Sequence, residues 1–139
     1  MSRYTLSKSS KLCSVTAIEL LFKHTDSESI IAYPLRGVWR HHPTNTRPGT
    51  AAPPPVKFMI TIPKKKLRHA VDRVTMRRRV REAYRLCRAE YETHIAPAAS
   101  IDLAFIYLSD KLQPYHTIER AVRRIMSRVA QSATHEPHN

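Results

Sequence analysis

The sequence predicts an α+β sandwich of three or four strands and three helices, and three observations carry that prediction. Val56 to Ile62 alternates apolar and polar side chains, as a half-buried strand does. From about Ala70 to Tyr91, apolar side chains recur at helical spacing beside a row of arginines. Ile101 to Leu108 is apolar almost throughout, and a second amphipathic run follows from about Pro114 to Ala130. At 139 residues and 16.0 kDa, the chain suffices for one compact domain with a modest core. The expected domain is 1–133, with a Pro-rich loop at 41–55 and a flexible tail at 134–139.

Each element has its own signal. From Ser14 to Lys23, Val15, Ile18, Leu21 and Phe22 stand at helical spacing, and Ser14 suits an N-cap. Ile30 to Trp39 is β-branched and aromatic but interrupted by Pro34 and Gly37, which predicts a kinked or split strand at or near a sheet edge. Five prolines between 41 and 55 make that stretch a loop. In the Val56–Ile62 strand, Val56, Phe58, Ile60 and Ile62 share one face, and Pro63 ends it before Lys64-Lys65-Lys66. The long helix has an inner stripe of Met76, Val80, Ala83, Tyr84, Cys87 and Tyr91, with Arg77, Arg81, Arg85 and Arg88 alongside. Pro97 closes the next connection. Ile101 to Leu108 barely alternates, which predicts a strand buried on both faces. It is expected to lie parallel to Val56–Ile62, joined to it through the long helix. The last helix takes Pro114 in its first turn and buries Ile118, Ala121, Val122, Ile125, Met126 and Val129.

Charge points to the partner. The formal net charge is +13 and the sequence pI about 10.4, which suits a polyanion. Residues 57–88 hold twelve Lys and Arg against Asp72 and Glu82, so ten of the thirteen charges sit in 32 residues. A solubility device would spread its charge; a binding surface concentrates it. Two cysteines, Cys13 and Cys87, give no disulfide framework and fit a reducing cytoplasm. The N-terminus lacks the apolar run of a signal peptide, and no stretch is long enough to span a bilayer, so no membrane partner is expected.

Catalytic constellations are absent from the pattern. The eight histidines are scattered, and His41-His42 has no Cys or carboxylate at ligand spacing. The carboxylates do not pair as a two-carboxylate or two-metal hydrolase requires. Two glycines, Gly37 and Gly49, cannot build a Gly-rich phosphate loop. Cys87 lies on the apolar stripe and reads as core. Arginines and lysines remain, with Phe22, Tyr33 and Trp39 as aromatics near the first helix and strand. Of these, Tyr33 beside Pro34 is the one expected at the surface, where a ring can stack on an unpaired base, and Trp39 is assigned to the core.

The run from Ile60 to Arg85, ITIPKKKLRHAVDRVTMRRRVREAYR, resembles the signature segment of the protein subunit of bacterial ribonuclease P. In that family a strand ends in a Lys-Lys turn, and the helix that follows opens with Ala-Val and carries Arg-Asn-Arg, Lys-Arg and Arg-Glu. Lys11-Leu12 to Phe22-Lys23-His24 and Tyr33-Pro-Leu-Arg36 are similar to it as well, so the likeness spans roughly residues 5 to 130. The resemblance implies an α-β-β-β-α-β-α sandwich, ribosomal protein S5 domain 2-like, with a left-handed β-α-β crossover. It also implies that an RNA subunit with Mg²⁺ cleaves precursor tRNA, while the protein, as a cytoplasmic monomer, binds that RNA and the 5′ leader. Carried over by position, the contacts to the RNA subunit fall on Lys64, Lys65, Arg73, Arg77, Arg78 and Arg81. The leader cleft falls on Ile18, Phe22, Tyr33 and Arg36. The family's Arg-Asn-Arg reads Arg73-Val74-Thr75 here, Ile18 stands where the cleft has an aromatic, and the 43–55 segment is longer than the usual connection. The competing reading is a structural RNA-binding protein of ribosomal-protein type, with the same charge logic and no substrate cleft. A helix-turn-helix DNA reader is disfavoured, because the basic helix follows a strand rather than a short helix.

Overall fold

A computed structural model describes residues 27–41, 56–92 and 101–134. The helix expected at Ser14–Lys23, nearly all of the 41–55 loop, Pro97 and the last five residues lie outside them. Six elements follow in order: β1 (Glu28–Ala32), β2 (Leu35–His41), β3 (Val56–Thr61), α1 (Ala70–Glu92), β4 (Ile101–Tyr107) and α2 (Tyr115–Thr134). The strands form one mixed sheet in the order β1-β2-β4-β3. β4 runs antiparallel to β2 and parallel to β3, so β3 and β4 are the expected parallel neighbours with α1 between them in the chain. The segment around Pro34 splits into β1 and β2, joined by a turn at Tyr33 and a cis Pro34, with β1 on the sheet edge. His41, placed by the sequence in the loop, is the last residue of β2 and pairs with Ile101.

Alternation then sorts the sheet into two faces. One carries Leu35, Trp39, Val56, Phe58, Leu103, Phe105 and Tyr107, all buried and continuous with the inner stripes of both helices. Met76, Val80, Ala83, Tyr84 and Cys87 come from α1; Ile118, Val122, Ile125, Met126 and Val129 come from α2. Tyr84 anchors the centre, with its ring 4.4 Å from that of Phe58 and 5.8 Å, edge-on, from that of Phe105. Gly37 is required here: a Cβ would stand 2.5 Å from Ile125 Cγ2, so only a bare backbone lets α2 settle this close to β2. The other face has a small apolar cluster of Val38 and Ala104 with Met59 and Ile106.

The helix ends differ slightly from expectation. The His69 carbonyl accepts from the Asp72 and Arg73 amides at 3.1 and 3.2 Å and opens α1, and Asp72 in the first turn suits the helix dipole. The Pro114 carbonyl accepts from Thr117 and Ile118, so Pro114 sits just ahead of α2 rather than inside its first turn. α2 also continues four residues past Ala130. The Ser132 hydroxyl donates to the Val129 carbonyl (2.8 Å) and accepts the Trp39 indole N–H (3.1 Å), a tertiary contact that sequence periodicity does not carry.

Candidate nucleic-acid interface

The first cationic surface starts where β3 ends. The Pro63 carbonyl accepts from the Lys66 and Leu67 amides at 3.0 and 3.3 Å, closing a turn that leaves Lys64, Lys65 and Lys66 exposed while Leu67 is buried. Arg73, in the first turn of α1, reaches back and donates from one guanidinium nitrogen to the carbonyls of Leu67 (2.8 Å) and Arg68 (3.0 Å). Arg73 therefore braces the lysine turn against the helix. One and two turns on, Arg77, Arg78 and Arg81 are exposed and have no ion-pair partner among the described residues. Such groups keep their full field and all their donors for an incoming phosphate. Val74, 48% exposed, stands among them, with Val71 one turn before it. Thr75 spends its hydroxyl on the Val71 carbonyl at 2.9 Å.

The other arginines of α1 serve the fold. Arg79 donates to the Gln113 carbonyl and ties α1 to the loop before α2. The buried Ser109 shapes that loop, its hydroxyl accepting from the Lys111 amide (3.1 Å) and the Gln113 side-chain amide (3.0 Å). Arg85 donates to the Glu82 carboxylate through two nitrogens, with Nε at 3.1 Å. That hydrogen bond holds the Glu82 carboxyl below its ordinary range and raises the Arg85 guanidinium. Arg123 of α2 bridges Glu90 of α1 at 2.9 Å and Glu119 of its own helix at 3.2 Å. The Glu90 bond is the main cause that pushes the Arg123 guanidinium upward. A charge-compensated seam thus runs where the two helices meet. The expected stripe of Arg77, Arg81, Arg85 and Arg88 divides accordingly: its first two members are exposed, and its last two are half-buried.

The second candidate surface is the sheet face away from the two described helices. Register sets Ile31, Arg36, Ile106 and Thr61 side by side across β1, β2, β4 and β3, with Arg36 exposed and Ile31 64% exposed. Tyr33, also 64% exposed, lies in the turn two residues beyond Ile31. Tyr33 and Arg36, chosen from the sequence, therefore share one end of the sheet, and Ile31 joins them. No local pattern singles out Ile31; only the pairing with Arg36 does. Further along this face, the buried Asp102 stands in register between Arg40 and Lys57, which suits a carboxylate taken out of water. Ile18 and Phe22 lie outside the described residues.

Two groups carry no site. The Cys87 thiol is buried, and burial pushes it up to about 12, which keeps it protonated and unreactive. No group of three or more His, Cys, Asp or Glu side chains is placed to hold a metal ion among the described residues, nor is any described helix long and apolar enough to cross a membrane.

Comparison with known proteins bears on the family and the fold. The ribonuclease P family profile matches residues 8–130. The ribonuclease P protein components of two strains of Porphyromonas gingivalis are each 30% identical to the chain over 128 residues, covering 91% of it and 88% of their own length. The ribonuclease P protein of Staphylococcus aureus, at 14% identity, shares the fold with a TM-score of 0.61 over 88% of this chain and 96% of its own. By the profile match over most of its length and by these relatives, the chain belongs to the ribonuclease P protein family.

Proposed function

We propose that the chain, as a ribonuclease P protein component, binds the RNA subunit through Lys64, Lys65, Arg77, Arg78 and Arg81. Arg73 holds the lysine turn in place for that contact. The single-stranded 5′ leader of precursor tRNA lies against the sheet face at Tyr33 and Arg36, with Ile18 and Phe22 as further contacts. The RNA subunit, with Mg²⁺, carries the hydrolysis that makes the mature tRNA 5′ end. The protein works as a cytoplasmic monomer that positions RNA. The observation that carries this reading is the cationic surface from the lysine turn into α1, whose outward arginines have no ion-pair partner among the described residues while neighbouring ones are bonded. Family membership favours it over a ribosomal-type structural protein.

The chemistry required of the protein is modest. Cations at the turn and on α1 neutralise phosphates and release counterions. An exposed aromatic ring and a guanidinium on a rigid sheet offer an unpaired strand a stacking surface and a phosphate contact. The test is to add the purified protein to a bacterial ribonuclease P RNA at low Mg²⁺ and follow cleavage of a precursor tRNA. Stimulated cleavage at the mature 5′ end is the expected result. RNA retention without stimulation returns the ribosomal-type reading.

A further inference from the structure

The second helix carries a cationic surface of its own. Arg120, Arg124 and Arg128 recur every four residues along α2, all three exposed, with His116 one turn before them and Gln131 after. No carboxylate interrupts the row. The one acidic residue of the helix, Glu119, is bonded to Arg123 in the seam, and none of the three outward arginines has an ion-pair partner among the described residues. Ordinary solvated helix faces mix both signs; this one does not. Below the row lies an open groove of about 480 Å³, lined by Ser29 and Ile30 of the edge strand β1, Tyr91 of α1, and Arg123, Arg124, Ser127 and Arg128 of α2. The groove brings the edge strand of the described sheet, two serines and guanidinium groups to one place. Glu28, the nearest carboxylate along β1, is not part of its lining.

From this we infer that the α2 face is a second binding surface for the phosphate backbone of the ribonuclease P RNA subunit, separate from the turn and α1. The inference rests on the proposed function. Three arginines spaced by four residues advance about 6 Å per step along the helix axis, a repeat suited to successive phosphates. Arginine rather than lysine supplies a planar fork for each phosphate. Apart from the small His116 imidazole at its start, the row has no exposed ring, and Tyr91, the groove's one ring, is half-buried and packs against the core. A leader strand with unpaired bases would seek a stacking platform, and those exposed side chains lie at Tyr33 and Ile31 instead. The α2 face therefore fits paired RNA, read through its backbone.

The experiment measures binding of the full chain to a ribonuclease P RNA transcript across a salt series, for wild type, R124A/R128A, R124K/R128K and R77A/R81A. R124A/R128A is expected to weaken binding by about tenfold or more and to flatten the log–log salt slope by about two units, at 0.9 per duplex phosphate. R124K/R128K keeps most of the slope and loses affinity a few-fold. Combining both alanine pairs multiplies the two losses, as independent surfaces require. The substituted positions are exposed, and circular dichroism checks that the fold is kept. Wild-type affinity and slope in R124A/R128A overturn the inference. So does a loss confined to leader-bearing precursor tRNA, which would assign the face to substrate. Failure of wild type to bind the transcript is a different result: it removes the proposed function and this inference together.

Discussion

The arginines of the two helices divide into a bonded set and an open set, though nothing in residue type separates them. Arg73, Arg79, Arg85 and Arg123 donate to carbonyls or carboxylates at the helix ends and along the helix–helix seam. Arg77, Arg78 and Arg81 on α1, and Arg120, Arg124 and Arg128 on α2, are exposed and have no ion-pair partner among the described residues. Glu90 and Glu119 are spent on Arg123 at the seam, and Glu82 on Arg85 within α1. The difference teaches that the few carboxylates of a strongly basic chain are placed where arginines must be tamed for packing. They form no ion pair with the outward arginines among the described residues. A count of charge per segment sees one basic region; the hydrogen bonds resolve it into fastening and reception.

Breaking the open set should give the largest effect. R77A/R81A is expected to cost about 3 kcal/mol of binding to the RNA subunit at low salt and to flatten the salt slope by one to two units, with thermal stability unchanged. A wild-type slope near −1 would contradict the division at its root. Next is Tyr33→Ala on the sheet face, which should weaken binding of leader-bearing precursor by about 1–3 kcal/mol and leave leaderless tRNA unaffected. Equal losses on both substrates, measured by titration, would mark a fold defect instead. Arg123→Ala tests the bonded set. It should lower stability by about 1 kcal/mol, because its two ion pairs are partly exposed, while leaving the salt slope alone.

Acid sharpens the same contrast. Arg85 holds the Glu82 carboxyl below its ordinary value of 4.5, so the stability this pair contributes is present above that value and is lost as pH falls through the lowered one. Denaturation curves below about pH 4.5 should therefore show a small decline that Glu82→Gln removes. The smallest expected effect comes from adding to the open set: V74N/T75R should tighten binding to a generic ribonuclease P RNA and steepen the slope by less than one unit. Weaker binding with an intact fold would show that Val74 and Thr75 fit a partner surface peculiar to this chain.

The sequence made the buried half of the molecule easy to read. Period-two alternation at Val56–Ile62 and the inner stripe of α1 report a side chain's own surroundings, and burial follows the pattern at Phe58, Val80, Tyr84 and Cys87. The split at Pro34 was legible for a similar reason, since proline acts on its own backbone. Legibility stops where a residue's role depends on a distant partner. Arg73 looks identical to Arg77 until the carbonyls of Leu67 and Arg68 turn toward it. Ile31 gains interest only from its register with Arg36, and the Trp39–Ser132 hydrogen bond joins residues 93 positions apart. The α2 row had a signal, arginines at a strict spacing of four. A net charge taken over the whole remainder of the chain diluted it.

One glycine has a reach well beyond its own volume. With no side chain at Gly37, Ile125 seats directly on the backbone of β2 and acts as a key that fixes the rotational setting of α2 about its axis. Arg124 and Arg128 flank Ile125 along the same helix, so their bearing is set by that seat. A methyl group on the strand would jam the keyway, and the helix would have to lift or roll, turning every outward guanidinium through the same angle. The aim of the α2 arginines is thus calibrated from inside the protein, at the position with the least chemistry of all.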